Sequence, residues 1–536
     1  MGVDTQNSVN NVSGLNETVF GPTRVVSTKF DLRPATYPEL RSVVLSLNAH
    51  TASGPDGLPV SLFKLFLGSL ATPLLHVLNS SITSGVVPSC WKSAEIVPIY
   101  KGKGDIKSAS NYRPISLLSV ASKITERLVS LQLRTYMDEC CILSNEQFGF
   151  RPHHSVDHAL ITLTESIRSS IDKGDICLLV SLDLSKAFDS VNHTILLQKL
   201  SQYGIDQSWF ANYLFGRTQF VRGCNDRGDV LSGVPQGSVL GPMLFNLFVN
   251  DLPTVAGDLC SLVQYADDTQ VMVSGPPQDI SVITTRIQVV LRRLSEWFSR
   301  NRLSLNVNKS QVIVFGSKAT LRRVNLKSVD ICDTTVQIKS SIVNLGVTID
   351  SSLTWSKHIN TVIGKCIGML IRLSLLRQIM PIKTIVLLIN TLVLPHLRFC
   401  ITVWGSCNLT QGKRVNKVLK FARRIAGREV KSLAWHGDVA SEHNIMSLKI
   451  IRQCLLFPEN MPSSILSLFK TRQSERRTRQ WDNLDLAIPK TEFKKASLSY
   501  HGAKLWNSLP SRIRNCSKNS FIKYIQEKAD NGELQV

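Results

Sequence analysis

The stretch SLVQYADDTQVMVSG, residues 261–275, carries two short apolar runs separated by adjacent carboxylates. Its pattern is that of two strands joined at a tight turn holding Ala266, Asp267 and Asp268. Upstream, ICLLVSLDL (176–184) is an apolar run of the kind that forms a buried central strand, and it ends at Asp183. A lone Asp-Asp pair is explained well enough by a polar turn. A second strand that also ends in Asp changes the reading, because ionised carboxylates at the ends of buried strands are costly unless paired or metal-bound. Brought together across a sheet, Asp183, Asp267 and Asp268 repel one another and call for divalent cations. Oxygen-only ligands without Cys or His nearby point to Mg²⁺, with Mn²⁺ as a substitute. Two such ions activate an attacking hydroxyl and stabilise a leaving phosphate.

Working outward, 62 Lys and Arg stand against 40 Asp and Glu, a formal charge of +22 over 536 residues. That excess favours a polyanionic partner, nucleic acid before membrane surface. Hydrophobic residues at 43% argue against wholesale disorder, and the length implies more than one domain. The twelve cysteines are scattered without ligand spacing, so a reducing compartment is expected and zinc is not. The N-terminus is polar, with no signal-peptide pattern, and the apolar stretch TIVLLINTLVLPHL (384–397) is too short and interrupted to span a bilayer. The expectation is an intracellular soluble protein with no membrane partner.

Local patterns give an α/β fold. Helices are expected at YPELRSVVLSLNAH (37–50), SVASKITERLVSLQLRTYMDEC (119–140), NHTILLQKLSQYG (192–204) and TTRIQVVLRRLSEWFSRN (284–301). Strands are expected at AEIVPIY (94–100) and SQVIVFGS (310–317). Between them GVPQG (233–237) is a Gly/Pro loop leading into an apolar helix. Beyond residue 355 long helical stretches with interspersed Lys and Arg dominate, which sets boundaries near 355 and 430.

Three strings in order, LDLSKAFD (182–189), GVPQGSVLGPMLF (233–245) and YADD (265–268), resemble the palm motifs of reverse transcriptases, and LSLNVNKSQVIVFG (303–316) continues the series downstream. GPDGLP (54–59), IVPIYKGKGD (96–105), NYRPISLLS (111–119), EQFGFRPHHSVDHAL (146–160) and VNLGVTIDSSLTW (343–355) resemble further motifs of non-LTR, LINE-type retrotransposons of the jockey and CR1 kind. The resemblance covers about residues 45–430. It implies a right-hand polymerase: a flexible lead-in at 1–35, fingers and an α+β palm at 36–355, a helical thumb at 356–430, and a mainly helical, basic, nucleic-acid-binding region at 431–536.

The same resemblance implies the residues of the site. Asp183 and Asp267 would be the main ligands of two Mg²⁺ ions, with Asp268 completing the acidic cluster. Phe188 would lie against the incoming sugar, where a flat ring clashes with a 2′-OH and so selects deoxynucleotides. Lys101, or Lys103 in its place, and Arg113 would grip the triphosphate, as a point charge and a fork respectively. Gln236 would sit near nucleotide and template, with Gly233 and Gly237 letting the backbone approach closely. Lys309 resembles the lysine proposed to protonate the leaving pyrophosphate. Lys417, Lys420, Arg423 and Arg424 would face the template–primer backbone, giving affinity without sequence reading.

The implied function is RNA-directed DNA synthesis from dNTPs on an RNA template, primed by DNA. Nuclear action and a cytoplasmic ribonucleoprotein follow from the family's lifestyle. The family usually carries an endonuclease ahead of the polymerase; only about fifty residues precede GPDGLP, so none is expected in this chain. No RNase H carboxylate set is apparent after the thumb. The competing reading is a catalytically inactive, domesticated remnant that binds RNA or DNA without synthesis, and the three intact aspartates count against it.

Overall fold

The computed structural model describes residues 28–224, 226–471 and 483–534. Most of the polar lead-in and most of the basic run SLFKTRQSERRTRQ (467–480) lie outside them. The chain builds β1 (Ser93–Tyr100), β2 (Tyr112–Leu117), α1 (Val120–Glu139), α2 (Val156–Lys173) and β3 (Ile176–Leu182). Then follow β4 (Leu184–Ser185), α3 (His193–Gln202), β5 (Arg217–Val221), β6 (Arg227–Val230) and α4 (Gly241–Phe248). Next come β7 (Ser261–Tyr265), β8 (Asp268–Gly275), α5 (Ile280–Arg300), β9 (Ser304–Leu305) and β10 (Gln311–Phe315). The main later helices are α6 (Ser356–Leu376), α7 (Leu409–Ala426), α8 (Val439–Leu456) and α9 (Lys518–Asp530). Helices and sheets are mixed throughout, as the α/β expectation requires.

These elements form two compact units, each drawn from three separate segments. The first takes Met1–Phe150, Asp183–Gly257 and Val290–Asn306. Its sheet has the order β2-β1-β5-β6, with β1 antiparallel to β2 and parallel to β5. Tyr100 faces Tyr112 across the β1–β2 ladder, their ring centroids 5.4 Å apart. In the unit's interior Lys199 of α3 donates at 2.7 Å to both Asp251 Oδ1 and the Phe248 carbonyl, and Trp297 Nε1 donates to Asp251 Oδ2. An ion pair this deeply buried persists because each polar atom has a partner.

The second unit takes Arg151–Leu182, Asp258–Val289 and Val307–Val536. Its four-stranded sheet has the order β10-β3-β8-β7, antiparallel at every pairing. β3 is interior and almost wholly buried, which is why its residues read as one apolar run. α2 packs on this sheet, sharing a core with it through Leu160, Leu163, Ile167, Cys177 and Leu179. Local chemistry fixes α2: the Ser155 side chain accepts from the His158 N–H, Asp157 lies in the first turn and Lys173 in the last. Gly174, at φ 93°, stops the helix and turns the chain into β3.

The far side of α2 is polar and is covered by the end of the chain. Glu165 accepts from the N–H groups of Leu498 (2.5 Å) and Ser499 (3.3 Å) and from Ser499 Oγ (2.7 Å). Arg168 donates to the Ala496 carbonyl and to Ser406 Oγ, and Asp172 accepts from the N–H groups of Lys490 and Thr491. Residues described after 430, including α8 and α9, share one hydrophobic core with α2, α6 and α7. α6 is long and apolar enough to cross a membrane by length and composition, a stretch that the sequence reading does not single out. Its buried residues, among them Ile359, Val362, Cys366, Leu370 and Leu373, belong to that core.

Candidate active site

Within the second unit β7 and β8 form a two-residue hairpin closed by the pair Tyr265 and Asp268. The tight turn demands a left-handed residue, and Ala266 supplies it at φ 57°, a conformation that costs an L-residue about 1–2 kcal/mol. Asp267 and Asp268 follow directly, both half-buried. The β3–β8 register sets Leu182 opposite Thr269. The next residue toward the turn is Asp183 on one strand's chain and Asp268 on the other's.

In the first unit Asp183 continues the chain from β3 as a half-buried residue, its carbonyl accepting the Asn306 N–H at 2.7 Å. β4 then pairs with β9, and Lys186 turns the chain in the left-handed region at φ 49°. The Lys186 carbonyl accepts from the N–H groups of Asp189 and Ser190, forming a tight loop around Phe188.

The Gly233–Gly237 loop lies against that one. The Gln236 side-chain amide donates to Asp189 Oδ1 at 2.8 Å, and the Gln236 carbonyl accepts the Ser116 N–H of β2 at 2.7 Å. Gly237 has φ 119°, and a Cβ there would stand 2.6 Å from the Ser116 carbonyl oxygen, so only glycine fits. Behind the loop, buried Glu126 of α1 accepts from the N–H groups of Val239 (2.6 Å) and Leu240 (3.2 Å) as the chain enters α4. Burial pushes the Glu126 carboxyl above its ordinary range, while Arg217 and these hydrogen bonds pull the other way. A cleft of about 690 Å³ opens beside the loop, lined by Pro114, Ser116, Lys186, Asp189, Arg217 and Gln236 among others.

Phe188 is half-buried between two rings. It stacks on Phe245 of α4 (centroids 4.5 Å, planes 22° apart) and meets Phe150 edge-on (5.9 Å, 88°). The cationic candidates lie at the surface. Lys101 Nζ donates to the Ser110 carbonyl at 2.7 Å, while Lys103, Arg113 and Lys309 are exposed. On α7, Lys417, Lys420 and Arg424 share one exposed face with Lys413, which the sequence reading leaves out. Arg423 points elsewhere, donating to the Gly437 carbonyl.

Asp189, Glu126, Phe150 and Phe245 also escape the sequence reading. Asp189 stands in plain view at the end of LDLSKAFD, and Glu126 is signalled by an acid on the apolar stripe of its helix, between Ser122 and Val129. Asp183, Asp267 and Asp268 are each half-buried carboxylates, a donor type that suits a hard divalent cation. Among the described residues no three His, Cys, Asp or Glu side chains stand gathered as a ready-made metal cluster.

The second unit thus carries an acid-bearing hairpin beside an interior strand, and the first a Gly-rich loop bonded to an aromatic turn. Residues 101–349 match the family described as reverse transcriptase (RNA-dependent DNA polymerase), and a domain of that family has a palm-type polymerase fold. More particularly, the chain is 28% identical over 416 residues to the probable RNA-directed DNA polymerase from transposon X-element of Drosophila melanogaster, covering 75% of this chain and 45% of that protein. It is also 28% identical over 414 residues to the RNA-directed DNA polymerase from mobile element jockey of the same species (74% and 44%). To the probable RNA-directed DNA polymerase from transposon BS, again of that species, it is 31% identical over 350 residues (62% and 38%). The chain thus spans less than half the length of these relatives, all named for transposons or mobile elements.

Proposed function

We propose that this chain copies RNA into DNA, adding dNTPs to a DNA primer on an RNA template, as the product of a non-LTR retrotransposon. The observation that carries the reading is the β3–β8 register, in which Leu182 lies opposite Thr269, so that the Asp267–Asp268 turn stands at the end of the sheet where β3 stops. The names of the relatives supply the polymerase activity as precedent.

In this reading Asp183 and Asp267, with Asp268 beside them, hold two divalent cations, Mg²⁺ by donor chemistry. When bound, the ions supply Lewis acidity to the attacking 3′-hydroxyl and the departing pyrophosphate. The chain's own residues do the rest. Gln236, fixed by Asp189 and by β2, presents one face of the nucleotide pocket. Phe188, backed by Phe245, lies against the sugar. Lys101 leaves the Ser110 carbonyl to meet the triphosphate together with Arg113, and Lys309 serves as the proton donor to pyrophosphate. The sheet β2-β1-β5-β6 corresponds to fingers, the sheet bearing β3 to the palm, and α6 with α7 to the thumb. Lys417, Lys420 and Arg424 hold the template–primer backbone, and the work is done in the nucleus after assembly of a cytoplasmic ribonucleoprotein.

Primer extension on an annealed RNA template with all four dNTPs and Mg²⁺ tests this, with Asp267→Ala as control. Extension that needs metal and vanishes in the control is expected. A folded protein that binds template–primer but extends nothing would sink the proposal and leave a binding module.

A further inference from the structure

We propose that Phe150 is a second specificity-determining residue for the nucleotide sugar, acting as the outer wall that holds the Phe188 ring in place. This rests on the reading of Phe188 as the ring against the sugar.

Three aromatic rings meet in the first unit, and they are not equivalent. Phe245 is fully buried and supports Phe188 from below, almost parallel to it. Phe150 meets Phe188 edge-on and remains 53% exposed. Burial therefore does not explain why a Phe stands at this position. Nor does backbone ease, since Phe150 sits at φ 54°, a region that bulky side chains rarely enter. Strain of this kind persists only where the surroundings over-determine it.

Here they do. The Gly149 N–H donates to Gln147 Oε1 at 2.8 Å, and the Gly149 carbonyl accepts from Asn246 Nδ2 at 2.8 Å. Asn246 is the chain neighbour of Phe245. One short helix, α4, thus supplies both the floor under Phe188 and the strut that holds Phe150 against it. An aromatic edge directed at a ring face or flank is attractive and orienting. With Phe150 in place, the Phe188 ring is held by two neighbouring rings and cannot tip to admit a 2′-hydroxyl. The ligand distinction it sharpens is deoxyribonucleoside against ribonucleoside triphosphate.

The test is single-nucleotide extension by the full chain on an RNA template and DNA primer, measuring kcat/KM for dCTP and for CTP. Phe188→Ala, Phe150→Ala, Phe150→Gly and Phe150→Tyr are compared with the unaltered protein. Glycine keeps the left-handed backbone accessible, so its effect reports the ring and not a collapsed loop. Both truncations at Phe150 are expected to lower the dCTP/CTP preference about three- to tenfold, the worth of one aromatic pair. Phe150→Tyr is expected to retain the preference. If Phe188→Ala erodes the preference while both Phe150 truncations leave it intact, the proposal is overturned and the Phe188 reading stands. If Phe188→Ala leaves the preference intact, that reading falls and the proposal with it. An equal loss with both nucleotides on truncating Phe150 also overturns it, because the role would then be structural.

Discussion

Gln236 and Asp189 are joined by a 2.8 Å hydrogen bond from the side-chain amide of the first to Oδ1 of the second, across 47 residues of sequence. The bond ties the Gly-rich loop to the turn that carries Phe188. A hydrogen bond to a charged group is worth about 1.5–3 kcal/mol net. Gln236→Ala and Asp189→Ala are therefore each expected to lower kcat/KM for dNTP about ten- to a hundredfold, chiefly through KM. Because the two act as a unit, the double variant should cost little more than the worse single one. Steady-state extension kinetics over the four proteins of this cycle provide the check.

Glu126 links the same loop to pH. Its carboxyl is raised by burial, so the folded chain holds a proton that the unfolded chain releases. The resulting stability is fully present below the ordinary glutamate value, about 4.3. It is lost as pH rises through the raised folded value. Urea unfolding over a pH series should show this fall, and Glu126→Gln should flatten it. Glu126→Ala strands the Val239 and Leu240 N–H groups and should destabilise by about 1–3 kcal/mol. A Glu126→Gln protein with an unchanged pH slope would assign the fall to another group.

The polar seam on α2 yields a stability prediction. Glu165 is 5% exposed and takes hydrogen bonds from Leu498 and Ser499, with Lys494 Nζ 3.5 Å away. Glu165→Ala should cost about 3–5 kcal/mol, as breaking a buried charged network does. Limited proteolysis should then cut within residues 490–499 faster than in the unaltered protein. Equal cleavage rates would show that the seam contributes little to holding this segment.

The basic face of α7 predicts salt dependence. Replacing Lys417, Lys420 or Arg424 by Ala should weaken template–primer binding. The slope of log affinity against log salt should become shallower by about 0.7–0.9 for each phosphate no longer neutralised. Lys413→Ala should behave alike, since it shares that face. Arg423→Ala should leave the slope unchanged, its guanidinium being committed to the Gly437 carbonyl. Filter binding from low to moderate salt separates the two behaviours.

What can be read in advance follows from how local each determinant is. The Ala266–Asp267–Asp268 turn, β1, β3, β10, α1, α3 and α7 each carry their signal within one short window, as periodicity, a cap or a turn residue. The β5–β6 hairpin escapes because Arg217–Val221 and Arg227–Val230 are polar and largely exposed, without an apolar alternation to mark them. α2 shows itself in the sequence as part of a motif and not as a helix. Its buried Glu165 and Arg168 interrupt the apolar stripe, and the partners that justify them lie more than 200 residues away in the sequence. The site is legible as residue types in order. Its supports, such as Glu126 under Val239 and Asn246 under Gly149, are not, because each depends on a meeting that only the folded chain creates.

That seam also has a temporal side. Glu165 and Leu498 are separated by 333 residues, a span that a ribosome needs roughly 20 to 70 s to traverse. Throughout that interval α2 has emerged with an acid and a guanidinium on a face whose partners have not yet been made. The sheet that α2 backs is thus among the last parts of the molecule to settle. A nascent chain stalled before residue 490 lacks the segment that closes over α2, so the polar face of that helix stays unmatched until the segment emerges.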